Sequence, residues 1–271
     1  MKTCLIPPIA HLEMAKGRKY HLCLAHLLEN ERYHTFYLSE SSAGSYVILD
    51  NSAHEQQVGE SIAALLGYAY EIQASEIVLP DHLFEMEDTI KRTSEAILYL
   101  SNHATNILDS FITPPNFMIV PQGRDLTEYE TCLTTLGDAF RKAMPTGVGL
   151  TIGVSKDFEV WAGGLFSLLD RTVIPASRKY HAQIHLLGWG RDLWALKRIN
   201  QTFGSQIRSV DSAKPFVFAL YGIALDPPAT PIYPKRPENY FTSEPMDKEQ
   251  YSAARWNIDV FDSMVNGKVK E

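Results

Sequence analysis

The chain has 271 residues, 45% of them hydrophobic and 21% charged, and carries a net charge of −7. That length suits one large domain and is enough for a (β/α)8 barrel, which typically takes about 250 residues. No apolar stretch approaches the roughly 20 residues a membrane helix needs, and the acidic balance is not that of a general nucleic-acid binder, so a polynucleotide partner has to meet a local basic patch.

The elements alternate along the chain. Cys4–Pro7 reads as a first strand; the Pro7-Pro8 pair and early charges argue against a signal peptide. Lys19–Asn30 follows with helical spacing at Tyr20, Leu22, Leu24, Leu27 and Leu28. Tyr46–Asp50 is a strand, Glu55–Tyr68 a helix, and Ile77–Leu79 a strand running into Pro80-Asp81. Met86–Leu108 is a long amphipathic helix. Phe117–Val120 is a strand ending at Pro121-Gln122-Gly123, and Thr127–Lys142 is helical. Val148–Ile152 ends at Gly153, and Phe158–Leu169 reads as a helix weakened by Gly163-Gly164. Ile184–Leu187 ends at Gly188-Trp189-Gly190, Arg191–Phe203 is helical, and Ile207–Val210 ends at Asp211.

Seven strand-like runs thus alternate with helices, and Phe216–Leu220 is the candidate eighth. Such alternation implies a parallel sheet with helical crossovers. No Gly-rich dinucleotide fingerprint follows the first strand, so a TIM (β/α)8 barrel is expected rather than a Rossmann sheet. One domain, 1–271, is expected, with a proline-rich loop or insertion over 226–245 anchored by Tyr233, Tyr240 and Phe241, and a terminal helix over Ser252–Met264.

In a barrel the residues just past the strands face one mouth. Here they are Asp50, Asp81, Gln122, Gly153, Gly188 and Asp211. Two carboxylates at such positions can run a double displacement on a sugar, one attacking the anomeric carbon and the other managing the proton. The competing explanation is that each Asp caps the helix after it. His54 either lines the mouth or sits on a helix surface, and Trp189 either offers an aromatic face or packs the rim. His181 and His185 flank a strand and are read as unrelated. No HExxH, GxSxG or phosphate-cradling GKS/GKT motif occurs. Cys4, Cys23 and Cys132 are odd in number and far apart. They read as core residues of a chain in a reducing, cytoplasmic setting. No metal and no cofactor are expected.

Six segments in order carry a resemblance to the tRNA-guanine transglycosylase superfamily. Leu49-Asp50-Asn51-Ser52-Ala53 looks like its Asp-Ser-Gly-Gly segment, and Ile77–Asp81 like the strand whose Asp reads the purine edge. Ile119-Val120-Pro121-Gln122-Gly123 is similar to Ile-Val-Gln-Gly with one residue inserted, and Gly149-Leu150-Thr151-Ile152-Gly153 to Gly-Leu-Ala-Val-Gly. His185–Gly190 is similar to Leu-Met-Gly-Val-Gly, and Val210-Asp211-Ser212 to Phe-Asp-Cys. The departures are as telling. No cysteine follows Cys132, so the family's zinc site is missing, and Asp211-Ser212-Ala213-Lys214-Pro215 replaces a basic Pro-Thr-Arg segment. In this the chain looks most like the phage-type DNA 7-deazaguanine transglycosylases.

The resemblance implies a pentosyltransferase of the host-cell cytoplasm that exchanges guanine in DNA for a 7-deazaguanine such as preQ0, protecting phage DNA from restriction. Asp211 is implied as nucleophile and Asp50 as general acid/base. Asp81, Gln122, Gly149, Leu150, Gly153 and Gly188 are implied at the base, with Trp189 or His54 the candidates to stack on it. Beside the resemblance, Lys214, Arg178, Lys179, Arg191, Lys235 and Arg236 are the candidate phosphate contacts by charge, each with ordinary solvated surface charge as the alternative. Three alternatives stand beside it: the same reaction on tRNA, a two-carboxylate nucleoside or glycoside hydrolase, and a non-catalytic nucleic-acid-binding partner. The oligomeric state is left open.

Overall fold

The computed structural model describes residues 1–103, 107–158, 163–189, 192–225 and 234–266. Eight strands alternate with helices in the order of a TIM (β/α)8 barrel: β1 (Lys2–Leu5), β2 (Tyr20–Leu24), β3 (Tyr46–Asp50), β4 (Glu76–Val78), β5 (Asn116–Ile119), β6 (Leu150–Ser155), β7 (Gln183–Leu187) and β8 (Ser209–Ser212). They lie in one sheet ordered β1-β8-β7-β6-β5-β4-β3-β2. Among the described residues no helix is long and apolar enough to cross a membrane.

By its internal contacts the chain divides into two compact units, where the sequence suggests one domain. The first combines Met1–His21 with Leu186–Glu271, and the second is Leu22–His185.

In the second unit the strands pair in register. Ile48 and Leu49 pair with Glu76 and Ile77, Ile77 and Val78 with Phe117 and Met118, and Phe117, Met118 and Ile119 with Leu150, Thr151 and Ile152. The row Leu49, Ile77, Phe117, Leu150 is wholly buried, as expected for strands covered on both faces. Helices α1 (Glu31–Ser42), α2 (Ala53–Gln56), α3 (Ile62–Ile72), α4 (Met86–Asn102) and α5 (Leu126–Ala143) connect them. Asp125 caps α5 by accepting the Glu128 N–H at 2.9 Å. A helical run follows, made of α6 (Leu165–Leu168), a π turn (Leu169–Val173) and α7 (Ile174–Tyr180). Gly163 and Gly164, both at positive φ, precede this run instead of interrupting it.

In the first unit β1 pairs with β8, Cys4 opposite Asp211. Helices α8 (Leu193–Phe203), α9 (Lys214–Leu220) and α10 (Lys248–Asn266) belong here, α10 packing on α8, α9 and β1. The Arg18 guanidinium donates to Thr3 Oγ1 and Asp262 Oδ1, both at 2.6 Å, tying β1 to α10.

Two elements differ from expectation. Lys19–Asn30 is not a helix: it forms β2 and then a 3-10 turn, Ala25–Leu27. Tyr20, Leu22 and Leu24 alternate at the strand period, and β2 is buried on both faces. Phe216–Leu220 is not the eighth strand but lies in α9, opened by Pro215 at its first turn and buried at every position from Pro215 to Ala219. A short apolar run buried all round carries no periodicity that separates strand from helix. The expected helix over Glu55–Tyr68 is two, broken where Gln57 takes φ +73° and Val58 bridges to His82.

Of the proline-rich stretch, 226–233, with Tyr233, lies outside the described residues. The remainder is docked on the first unit: Tyr240 is fully buried and its hydroxyl donates to Ile6 O at 2.5 Å, while the Met246 N–H donates to His11 Nε2 at 2.8 Å.

Candidate functional site

In the second unit β3 ends in Asp50, β4 and β5 are followed by Pro80-Asp81 and Pro121-Gln122, and the loops after the three strands share one polar network. Asp81 is only 2% exposed. Its Oδ1 accepts from Asn51 Nδ2 at 2.7 Å and its Oδ2 from Gln122 Nε2 at 2.5 Å. Asn51 also donates to Leu79 O at 2.6 Å and accepts the Ala53 N–H at 2.9 Å. Gln122 Oε1 accepts the Phe84 N–H at 3.0 Å. Burial pushes the Asp81 carboxyl up to about 6, against the two amide hydrogen bonds, which favour the anion. Among the described residues no lysine or arginine bonds it, so a near-neutral solution leaves a buried carboxylate whose side-chain hydrogen bonds come from two amides.

Two loops are stapled around this network. Gly59 N–H donates to Asp81 O at 2.9 Å, Leu83 N–H to Gln57 O at 3.2 Å, and Glu60 N–H to Asn51 O at 2.9 Å. A Cβ at Gly59 would lie 2.9 Å from the Asn51 side chain, so glycine is what lets the backbone approach. Among the described residues five non-glycine positions have positive φ: Ser52, Gln57, Gln73, Phe84 and His181. Gln73 and His181 are helix C-caps, where that conformation is routine. The other three belong to these two loops. Strain of this kind gathers where a site over-determines its backbone.

Asp50 is half-buried and its Oδ1 accepts the Ser52 N–H at 2.7 Å, an Asx turn that fixes the carboxylate at the strand end. Ser52 is buried, and its Oγ lies 2.8 Å from His26 Nδ1. His54 is exposed on α2. Gly153 lies within β6, not past its end, and Gly149 and Leu150 stand at the N-terminal end of that strand. Gly149 is pressed on Asn116, which accepts its N–H at 3.1 Å. Arg178 and Lys179 occupy the last turn of α7, ahead of β7's first residue. Lys179 donates there to Asp138 Oδ1 at 2.9 Å and to the Tyr180 hydroxyl at 2.7 Å.

In the first unit Asp211 lies in β8 and is buried. The Gly188 N–H is shared between its Oδ1 and Oδ2, at 3.1 and 3.0 Å. Gly188 takes φ +71°, a turn conformation in which glycine is unstrained. Trp189 is buried. Lys214 Nζ donates to Pro234 O at 3.2 Å, and the Arg236 guanidinium lies 5.0 Å from the Phe241 ring centroid. Lys235 adjoins them. Arg191 lies outside the described residues.

The three cysteines are buried. Burial pushes the Cys132 thiol up to about 11 and the Cys23 thiol well above its usual range. Thiols so placed are poor nucleophiles.

Sequence reasoning passed over Asn51 and Phe84. An Asp-Asn-Ser run at a strand end is a turn signal that could have found Asn51; Phe84 stands in a segment with no turn residue to mark it. No protein-family model matches the chain, and no curated protein matches it.

Proposed function

We propose that the protein is a base-exchange glycosyltransferase acting on a guanine-type base in a polynucleotide, and that the incoming base is a 7-deazaguanine. The observation that carries the reading is Asp81: a buried carboxylate bonded by two side-chain amides and, among the described residues, by no lysine or arginine. An edge presenting two adjacent N–H donors, as N1–H and the exocyclic amine of guanine do, compensates such an anion. An adenine-type edge sets an acceptor against it. In this reading Gln122, bonded to Asp81, turns its second amide N–H to the base's carbonyl oxygen.

In this reading Asp211 attacks C1′ and forms a sugar ester while guanine leaves with its bonding electrons and takes a proton from Asp50 or water. The 7-deazaguanine loses a proton to Asp50 and displaces Asp211, with retained configuration overall. The Gly188 N–H holds the Asp211 carboxylate by both oxygens and so fixes its position. The target nucleotide is single-stranded or turned out of the stack. DNA is the proposed polymer, following the resemblance to zinc-less phage enzymes.

The test is incubation with guanine-containing DNA, and separately tRNA, together with labelled preQ0. Label retained in DNA supports the reading and label in tRNA moves it to RNA. Guanine release without retained label makes the protein a hydrolase, and neither release nor retention overturns the enzyme assignment. Asp211→Asn must abolish any retention seen.

A further inference from the structure

Phe84 stands where neither packing nor backbone preference calls for it. Its φ is +62°, a genuine outlier for a bulky residue. The turn closes from the Glu85 N–H to His82 O at 3.1 Å, which puts Phe84 third of four, the place where glycine or asparagine serves a positive φ. A glycine would remove the strain, yet the side chain kept there is 41% exposed. Its ring meets Phe158 edge-on, centroids 6.1 Å apart, and Phe158 packs on the buried Tyr129 at 5.1 Å. One ring edge is thus braced while much of the surface stays open.

The turn is held from three sides. His82 N–H donates to Thr89 Oγ1 at 3.0 Å, and His82 Nδ1 lies 2.8 Å from Asp88 Oδ2. Arg124 bonds Glu85 at 2.5 Å. The third hold is the Phe84 N–H itself, bonded to the same Gln122 amide that bonds Asp81.

We propose that Phe84 is a specificity-determining residue, an aromatic platform that packs on the planar base recognised by Asp81 and Gln122. The proposal rests on the base-binding reading of those two residues. Gln122 ties the platform to them: one side-chain amide sets the turn that presents the ring and also touches the carboxylate that reads the edge. A flat ring packed on the ligand's face selects planar heterocycles over non-planar ligands with two donors, such as a sugar diol.

The test compares Phe84→Gly, Phe84→Leu and Phe84→Trp with the parent. Binding of free guanine and of preQ0 is measured by calorimetry, with KM for preQ0 and thermal midpoints alongside. Glycine relieves the backbone, so Phe84→Gly is expected to melt no lower than the parent while binding both bases about tenfold more weakly, the scale of one aromatic stacking contact. KM rises with kcat near parental at saturation. Phe84→Leu loses most of the affinity, and Phe84→Trp retains it. If the parent binds and exchanges bases and Phe84→Gly does so with unchanged affinity and KM, the platform is refuted and the reading of Asp81 stands. If the parent binds no purine, the base-binding reading fails and the platform falls with it.

Discussion

Replacing Asp81 with asparagine removes a buried charge at nearly constant volume, and the structure sets the size and sign of the effect. The carboxyl rises from an ordinary 3.8 to about 6 in the folded chain, chiefly through burial. A difference of about 2 pH units corresponds to about 3 kcal/mol at about 1.4 kcal/mol per unit. The folded chain holds this proton more tightly than the unfolded chain. Asp81's contribution is therefore fully present below about pH 4 and is lost as pH rises through about 6. Roughly half of the change develops between about pH 5 and about pH 8. Urea unfolding of the parent and of Asp81→Asn across that window gives the test, since other titrating groups largely cancel in the difference. The parent is expected to lose stability relative to the variant as pH rises. A flat difference, or one of opposite slope, would refute the claim that Asp81 is a desolvated carboxylate. Base affinity runs the other way: only the ionised form accepts from two donors, so guanine binding strengthens as pH rises through about 6, and Asp81→Asn loses that rise.

Asp211→Asn is expected to abolish base exchange and any trapped sugar adduct while leaving the melting temperature within a few degrees of the parent; exchange at the parental rate removes Asp211 as nucleophile. Gly59→Ala drives a methyl group against Asn51, which is bonded to both Leu79 and Asp81, and should cost about 1–3 kcal/mol in chemical denaturation and weaken base binding. An unchanged midpoint would show that the two loops part more easily than their contacts indicate. Tyr240→Phe leaves Ile6 O without its side-chain donor and should cost about 1–3 kcal/mol, read as earlier proteolysis of the segment after residue 233.

Much of the barrel was legible because its strands end in chemistry. Tyr46–Asp50 was read to the residue, and the ends of β4 and β5 were marked by Pro80-Asp81 and Pro121-Gln122. What was illegible had a physical cause. Tyr20–Leu24 alternates as a strand should, but Leu27 and Leu28 extend the apolar run into a helical spacing, and the period alone did not arbitrate. Phe216–Leu220 is apolar without interruption because α9 is covered on all sides. Asn51 takes its meaning from a partner thirty residues away, which only the register of β3 on β4 brings near. Phe84's significance lies in a dihedral angle that no residue type in its turn announces. Lys179, read as a phosphate contact from its charge, is held by Asp138 and Tyr180.

The bond from Tyr240 to Ile6 spans 234 residues of chain, and β1 pairs with β8. The first strand is therefore made long before β8 exists to pair with it, and the Tyr240 bond forms later still. Losing the residues from Tyr240 onward would thus strip Ile6 of its hydroxyl donor and β1 of the α10 face packed on it, so damage at one end of the chain is felt at the other.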